Sequence, residues 1–258
     1  MKRTTPLLLA AAAGGALLWR RARRSADEPS ADVLDADEAR DLYDRLAPVY
    51  DGVAGAYALL GARRLHDRAV RALRLRPGDT AVSLGCGTGP NLGALARAVG
   101  PTGRVVGVDL SAGMLAQARD RVRRLGLDNV ELVQADVREF AFPEGLGGVL
   151  AVFALEMVPD YDAVVERAVA ALRPGGRIAV SGLRRPDGWP EWAVRLGELA
   201  NRPFGVSRAY ESFRPWEAVR RHAREVAYRE AVLGAVYLSV GEAPSPDGPS
   251  RQHREPYA

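Results

Sequence analysis

From residue 80 onward, short apolar runs alternate with segments whose apolar positions recur at three and four. TAVSL (80–84), RVVGVD (104–109), NVELVQAD (129–136), GGVLAVFAL (147–155) and RIAVSGL (177–183) read as five strands. Ser111 is placed to cap a helix carrying Met114, Leu115, Ala118, Val122 and Leu125 on one face. Residues 160–172 repeat that spacing at Val164, Val165, Ala168, Val169 and Leu172, and stop at Arg173-Pro174-Gly175-Gly176. Two helical segments, near 36–47 and 56–75, precede the first strand, and REVAYREAVL and AVYLSVGE read as two closing strands. This order predicts an α/β fold with a doubly wound, mostly parallel sheet. Ligands bind such sheets beyond the carboxyl ends of the strands.

One apolar run stands apart. Residues 6–19 (PLLLAAAAGGALLW) are followed at once by Arg20, Arg21, Arg23 and Arg24. As a helix at ~1.5 Å per residue it covers about 21 Å, short of a ~30 Å hydrocarbon core unless its flanks extend it. Positive charge next to the run favours an anchor with the body on the cytoplasmic face of the membrane. A packed apolar arm on a cytoplasmic protein is the competing reading. The expected organisation is an anchor over 1–24, a linker over 25–36, one domain over 37–241 and a Pro-rich polar tail over 242–258.

Charge sharpens this. The net of +4 comes from 36 Lys+Arg against 32 Asp+Glu. Residues 1–24 hold six of the basic residues and no acid, which leaves 30 against 32 in the rest. The body is therefore not basic, and no nucleic-acid partner is expected. One cysteine and three scattered histidines argue against a metal site.

The candidate chemistry lies at the strand ends. The first strand leads into Gly85-Cys86-Gly87-Thr88-Gly89, a loop that can turn tightly and approach a ligand. A dinucleotide fingerprint needs a glycine where Pro90 stands, so that pattern is broken. Asp109 ends the second strand, placed to accept both hydroxyls of a ribose. Asp136 ends the third, placed to accept an exocyclic amine. Together they suit a nucleoside-shaped ligand.

LGCGTG (84–89), VVGVDLSAGMLAQAR (105–119), NVELVQADV (129–137) and LRPGGRIAV (172–180) resemble, in order, the motifs of class I S-adenosylmethionine-dependent methyltransferases. The resemblance covers about 40–240 and implies a seven-stranded sheet whose last strand is antiparallel, with S-adenosylmethionine as cofactor. It implies that Gly85, Cys86, Gly87, Thr88 and Gly89 approach the methionine part. Asp109 would hold the ribose, Leu110 and Met114 flank the adenine, and Asp136 and Val137 meet its edge. Phe153 would lie beneath the sulfonium. Ser83 stands where the family often has an acid that holds the cofactor's amino group. YDRLAPVYD (43–51) resembles the entry segment of the branch that includes quinone-biosynthesis C-methyltransferases and phosphatidylethanolamine N-methyltransferases. By that resemblance Tyr43 and Tyr50 cover the cofactor and shape the acceptor pocket.

Methyl transfer needs orientation and a dry pocket, and a protonated or weakly acidic acceptor also needs a base. Glu156, just past the fourth strand, ranks first; Tyr50, Tyr210 and His222 are further candidates. Residues 184–222 interleave Trp189, Trp192, Phe204, Tyr210, Phe213 and Trp216 with arginines, which suits either a membrane interface or a lid. The expectation is a membrane-tethered methyltransferase of a lipid-soluble acceptor, a phospholipid amine or a quinone-type ring. The alternatives are a soluble small-molecule acceptor, or a cofactor-binding module without catalysis.

Overall fold

A computed structural model describes residues 33–57, 63–206 and 211–244. The strands are β1 (Thr80–Leu84), β2 (Arg104–Asp109), β3 (Val130–Gln134), β4 (Leu146–Val152), β5 (Leu172–Leu183), β6 (Arg224–Ala231) and β7 (Val236–Glu242). They form one sheet in the order β3-β2-β1-β4-β5-β7-β6. All pairings are parallel except those of β7, which runs antiparallel to both β5 and β6. The direction of winding reverses at β1, which pairs with β2 on one side and β4 on the other. A crevice is therefore forced open at the carboxyl ends of these strands.

The helices are α1 (Ala36–Tyr57), α2 (Arg63–Ala72), α3 (Leu92–Val99), α4 (Ala112–Leu125), α5 (Tyr161–Ala170), α6 (Glu191–Asn201) and α7 (Pro215–His222). Successive strand residues point to opposite faces, so each central strand feeds two cores. Ala81, Val105, Leu150 and Ala179 pack with Ala69, Val70, Leu95 and Leu115 from α2, α3 and α4. Their neighbours Val82, Val106, Val149 and Val180 pack with Val164, Ala168 and Val219 from α5 and α7.

Two local features differ from the sequence reading. The first helix does not stop before Pro48 but continues to Tyr57. Proline removes one backbone bond, and anchorage on both sides of it keeps the helix going: Asp44 accepts from Gly113 N at 2.8 Å and Asp51 from Thr88 Oγ1 at 2.6 Å. The stop at Pro174-Gly175-Gly176 is not a loop before a new strand. β5 starts at Leu172, opposite Leu146, and bulges before Arg177 takes up the pairing with Gly148. β3 and β4 are joined without a helix, by turns and irregular chain over 135–145. The proposed anchor over 1–24 and nearly all of the 242–258 tail lie outside the described residues. Among the described residues no helix is long and apolar enough to cross a membrane.

Candidate functional site

The glycine loop is held open by three different constraints. Gly85, Gly87 and Gly89 all have positive φ, at 54°, 54° and 78°. A Cβ on Gly85 would sit 2.5 Å from the Ala154 Cβ, and one on Gly89 would sit 2.7 Å from Leu92 Cδ1. A Cβ on Gly87 would meet nothing within 4 Å, because Gly87 faces a cavity. Gly85 and Gly89 thus close the loop against β4 and α3, and Gly87 leaves room for a ligand.

Asp109 is oriented by the loop itself. Its Oδ2 accepts from Gly87 N at 2.7 Å and its Oδ1 from Ser111 N at 3.0 Å. Burial pushes its carboxyl above the usual range, against the lowering effect of these N–H groups. Ser111 caps α4 as expected, with Oγ accepting from Met114 N at 3.0 Å. The same hydroxyl donates to Asp44 of α1, so α1 is tied to the first turn of α4. A Cβ on Gly113 would come within 3.2 Å of Ala47 and the Asp44 backbone, a measure of how closely the two helices approach.

The cavity holds about 140 Å³. Of the residues singled out from the sequence, it brings together Tyr43, Tyr50, Gly85, Gly87, Asp109, Leu110, Met114, Asp136, Val137 and Phe153. Phe153 reaches it from the end of β4 in a left-handed conformation, φ 53°, that non-glycine residues rarely adopt. Tyr43 and Tyr50 lie seven residues apart on one face of α1, their rings 6.5 Å apart and edge-on. Tyr43 donates its hydroxyl proton to the Phe204 carbonyl at 3.2 Å, and the Tyr50 ring packs on Phe204 at 5.7 Å. The helix thus closes onto the segment after α6. Burial, then the nearby carboxylates of Asp109, Glu156 and Asp51, raise the Tyr50 hydroxyl to about 12, so it stays protonated.

Other candidates fall outside the lining. Ser83 is buried within β1 and does not face the cavity. An acid does reach the loop, but from α1: Asp51, through Thr88. Cys86 is buried against Gly107, and burial followed by Asp109 lifts its thiol well above the ordinary value. Glu156 sits on a 3₁₀ turn behind the cavity, between the lining residues Ala154 and Met157. It is fully buried, and burial raises its carboxyl to about 7. Oε1 accepts from Leu183 N at 3.0 Å, and Oε2 has no hydrogen-bond partner. A Cβ on Gly182 would lie 2.1 Å from Glu156 Oε1, so only glycine admits this side chain. His222 is placed elsewhere. On α7, which packs on a face of the sheet, it meets Asp162 of α5 at 3.2 Å. Tyr210 lies outside the described residues.

The sequence reading missed three participants. Arg138 grips Asp136 with Nε and Nη2, at 3.0 and 2.7 Å to Oδ2. Burial would raise Asp136, but Arg138 and its backbone N–H hold it below the usual range. The second is His66 of α2. Its Nδ1 is 2.8 Å from Asn91 Oδ1, its ring is 6.1 Å from Phe153, and burial lowers its pKa. The third is the entry to α1, where Asp35 and Glu38 form a reciprocal capping box at 2.8 and 3.0 Å and Leu34 and Asp35 line the cavity. The Asp-x-x-Glu spacing was a visible signal for the cap. Nothing local marks Arg138 or His66.

Residues 81–176 match the family model of a methyltransferase domain. They form a class I methyltransferase domain. Its cofactor is S-adenosylmethionine, and the residues fit it: Gly87 leaves space, Asp109 presents a carboxylate for a diol, and Leu110, Met114 and Val137 offer apolar faces for a base. The domain's chain is similar to a demethylmenaquinone methyltransferase of Bacillus cytotoxicus, 31% identical over 55% of this chain and 60% of that one. It is also similar to a nocamycin O-methyltransferase of Saccharothrix syringae, 34% identical over 75% of this chain and 64% of that one. The matches thus span less than two thirds of either relative. In fold it resembles the cyclase SpnF, with a TM-score of 0.66 at 17% identity, over 83% of this chain and 98% of that one.

Proposed function

We propose that this protein is a membrane-tethered, S-adenosylmethionine-dependent methyltransferase whose acceptor is a lipid-soluble, quinone-type ring. The observation that carries the reading is the two-sided cavity. One side is the glycine loop with Asp109; the other is Tyr43, Tyr50, Phe153, Met157 and Val158. A flat, neutral acceptor suits the second side. Each carboxylate of the lining already has a partner: Asp35 in its capping box, Asp109 on backbone N–H groups, Asp136 on Arg138. Arg138 neutralises Asp136 and Asp109 is turned to the glycine loop, and the aromatic side named above carries no carboxylate, which makes a phospholipid amine the second reading. The demethylmenaquinone relative supports the same preference.

When bound, the cofactor supplies an activated methyl group for in-line displacement. The chain orients and dries the site. Asp109 and the loop hold one end, and α1 covers it through Tyr43 and Tyr50. With its hydroxyl raised to about 12, Tyr50 serves as a hydrogen-bond donor to the acceptor and not as a base. Glu156 lies behind the lining, and its unpartnered oxygen is the nearest fit to a proton acceptor among the residues considered. Tethering rests on the apolar run over 6–19 and its arginines, with the domain on the cytoplasmic face. Fold alone does not decide the reaction, as the likeness to a cyclase illustrates.

The test is isotope-labelled S-adenosylmethionine incubated with the full chain and vesicles made from a total lipid extract. Label in the neutral lipid fraction supports the reading. Label in phospholipid supports the second reading. Label only in soluble compounds overturns the lipid acceptor, and no label overturns the methyltransferase.

A further inference from the structure

We infer that α6 and the tip of the β6–β7 hairpin form one docking face for a lipid bilayer, a second contact resting on the proposed tether. Six large apolar side chains are exposed among the described residues. Five are in these two places: Trp192 (70%), Leu196 (60%) and Leu199 (64%) on α6, and Val232 (58%) and Leu233 (85%) at the tip. Positions 192, 196 and 199 fall within about 60° of one another around a helix, so they make one ridge. Trp189 joins ridge and tip, donating Nε1–H to the Leu233 carbonyl at 3.1 Å.

The tip is unfavourable in water twice over. Val232 and Leu233 have φ of 52° and 54°, a left-handed pair that normally calls for Asn-Gly. That backbone is strained for any residue but glycine. Its effect is to present two bare hydrocarbon side chains outward, which water does not reward. Trp216, by contrast, turns inward onto Tyr237, and Phe213 onto Tyr161. Leu125 at the end of α4 apart, the exposed large apolar side chains of the described residues thus gather on α6 and the hairpin tip.

Two observations favour a bilayer as the occupant. Leu34, just after the undescribed amino-terminal stretch, packs where a Gly205 Cβ would lie 2.8 Å away, at the far end of α6. Leu34, near the start of the described chain, therefore lies close to the carboxyl end of α6. The fourteen residues between Trp19 and Leu34 reach up to ~50 Å when extended, ample for one membrane to meet both. In addition, a handful of exposed side chains is few against the ~20–30 residues per side of a standard protein interface. The stretch 184–206 carries four arginines and three acids, so apolar insertion, not charge, drives the contact. Phe204, directly after α6, packs on Tyr50. Docking through α6 therefore sets the cavity's aromatic side toward the lipid.

The experiment uses the full chain on phosphatidylcholine vesicles whose acyl chains carry bromine, a short-range quencher of tryptophan. Trp192→Phe is expected to remove a distinct share of the quenching, and Trp19→Phe another. Leu196→Glu/Leu199→Glu should abolish the Trp192 share while leaving S-adenosylmethionine affinity unchanged, which confirms folding. Quenching that Trp192→Phe leaves unaltered, while Trp19→Phe reduces it, overturns the docking face and preserves the tether. Quenching that only Trp192→Phe reduces supports the face and counts against the tether. A wild-type dimer in solution that Leu196→Glu/Leu199→Glu dissociates, with no Trp192 quenching, overturns the proposal in favour of a second copy.

Discussion

The two halves of the sheet treat their polar atoms differently. In the half built from β1, β2 and β3, the functional groups are bound to backbone: Asp109 by Gly87 and Ser111, Ser111 by Met114. In the half beyond β4, Glu156 Oε2, Glu211 Oε1, Tyr237 OH and Ser239 Oγ are buried without a hydrogen-bond partner. These are the only such side-chain atoms among the described residues, and none lies before β4. An unsatisfied buried polar group costs ~1–3 kcal/mol. The first half is a preformed cradle; in the second, Glu156 is the one of the four that stands between lining residues, so its free oxygen is the polar capacity nearest the proposed acceptor side.

The sharpest break would come at Asp109. Asp109→Ala removes a charged acceptor of two diol hydrogen bonds, each worth ~1.5–3 kcal/mol. S-adenosylmethionine affinity should fall at least ~100-fold by calorimetry, with a moderate drop in melting temperature because Gly87 N–H and Ser111 N–H lose their acceptor. Affinity within a few-fold of wild type would remove Asp109 from the cofactor site.

The glycines separate fold from ligand next. Gly85→Ala collides with Ala154 at a positive φ, so stability should drop by about 3 kcal/mol in urea unfolding. Gly87→Ala meets open space and should cost only ~1 kcal/mol. It should nonetheless weaken cofactor binding, because the new methyl occupies the cavity. Equal stability losses for the two would contradict this division.

On the other side, Glu156 makes stability depend on pH. Its native carboxyl titrates at about 7 against 4.5 in an ordinary setting, so the folded chain holds the proton more tightly. Stability is therefore fully present below pH 4.5 and falls as pH rises toward 7, by up to about 3 kcal/mol. Glu156→Gln should flatten that decline between pH 5 and 8 and lower turnover. Thermal melts across the range, read beside initial rates, decide it. A variant melting curve that still declines with pH would place the proton elsewhere.

The smallest effect belongs to His222. It meets Asp162 at the surface of two helices, a pair worth ~1 kcal/mol or less. His222→Ala should leave turnover within two-fold, whereas His66→Ala, beside Phe153, should change it more. The reverse order in a rate assay would return His222 to the candidates.

Much of the cradle was legible because it is local. Gly85 to Gly89, Asp109, Ser111 and Asp136 stand at the ends of strands whose apolar runs are short and distinct. The strand ends converge in any doubly wound sheet. The other half was less legible because its geometry is long-range. The first helical segment was expected only near 36–47, yet the helix continues through Pro48 because contacts with α4 and the loop outweigh one lost backbone bond. Nothing in the sequence singled out Arg138, which the turn after β3 folds onto Asp136. His66 and His222 were indistinguishable as letters, and packing alone puts the first beside the cavity and the second on α7.

The sequence by itself determined the α/β alternation, the glycine loop and the acids at the strand ends. These follow from side-chain periodicity and from backbone freedom at single positions. Tertiary structure decided which candidates share a cavity, that Glu156 is buried with one oxygen unpaired, and that Tyr50 stays protonated. It also decided that the surplus apolar surface gathers on α6 and one hairpin tip. Burial, and with it the energy of every charge and every exposed methyl, depends on residues far apart in the chain, and only the folded packing brings those together.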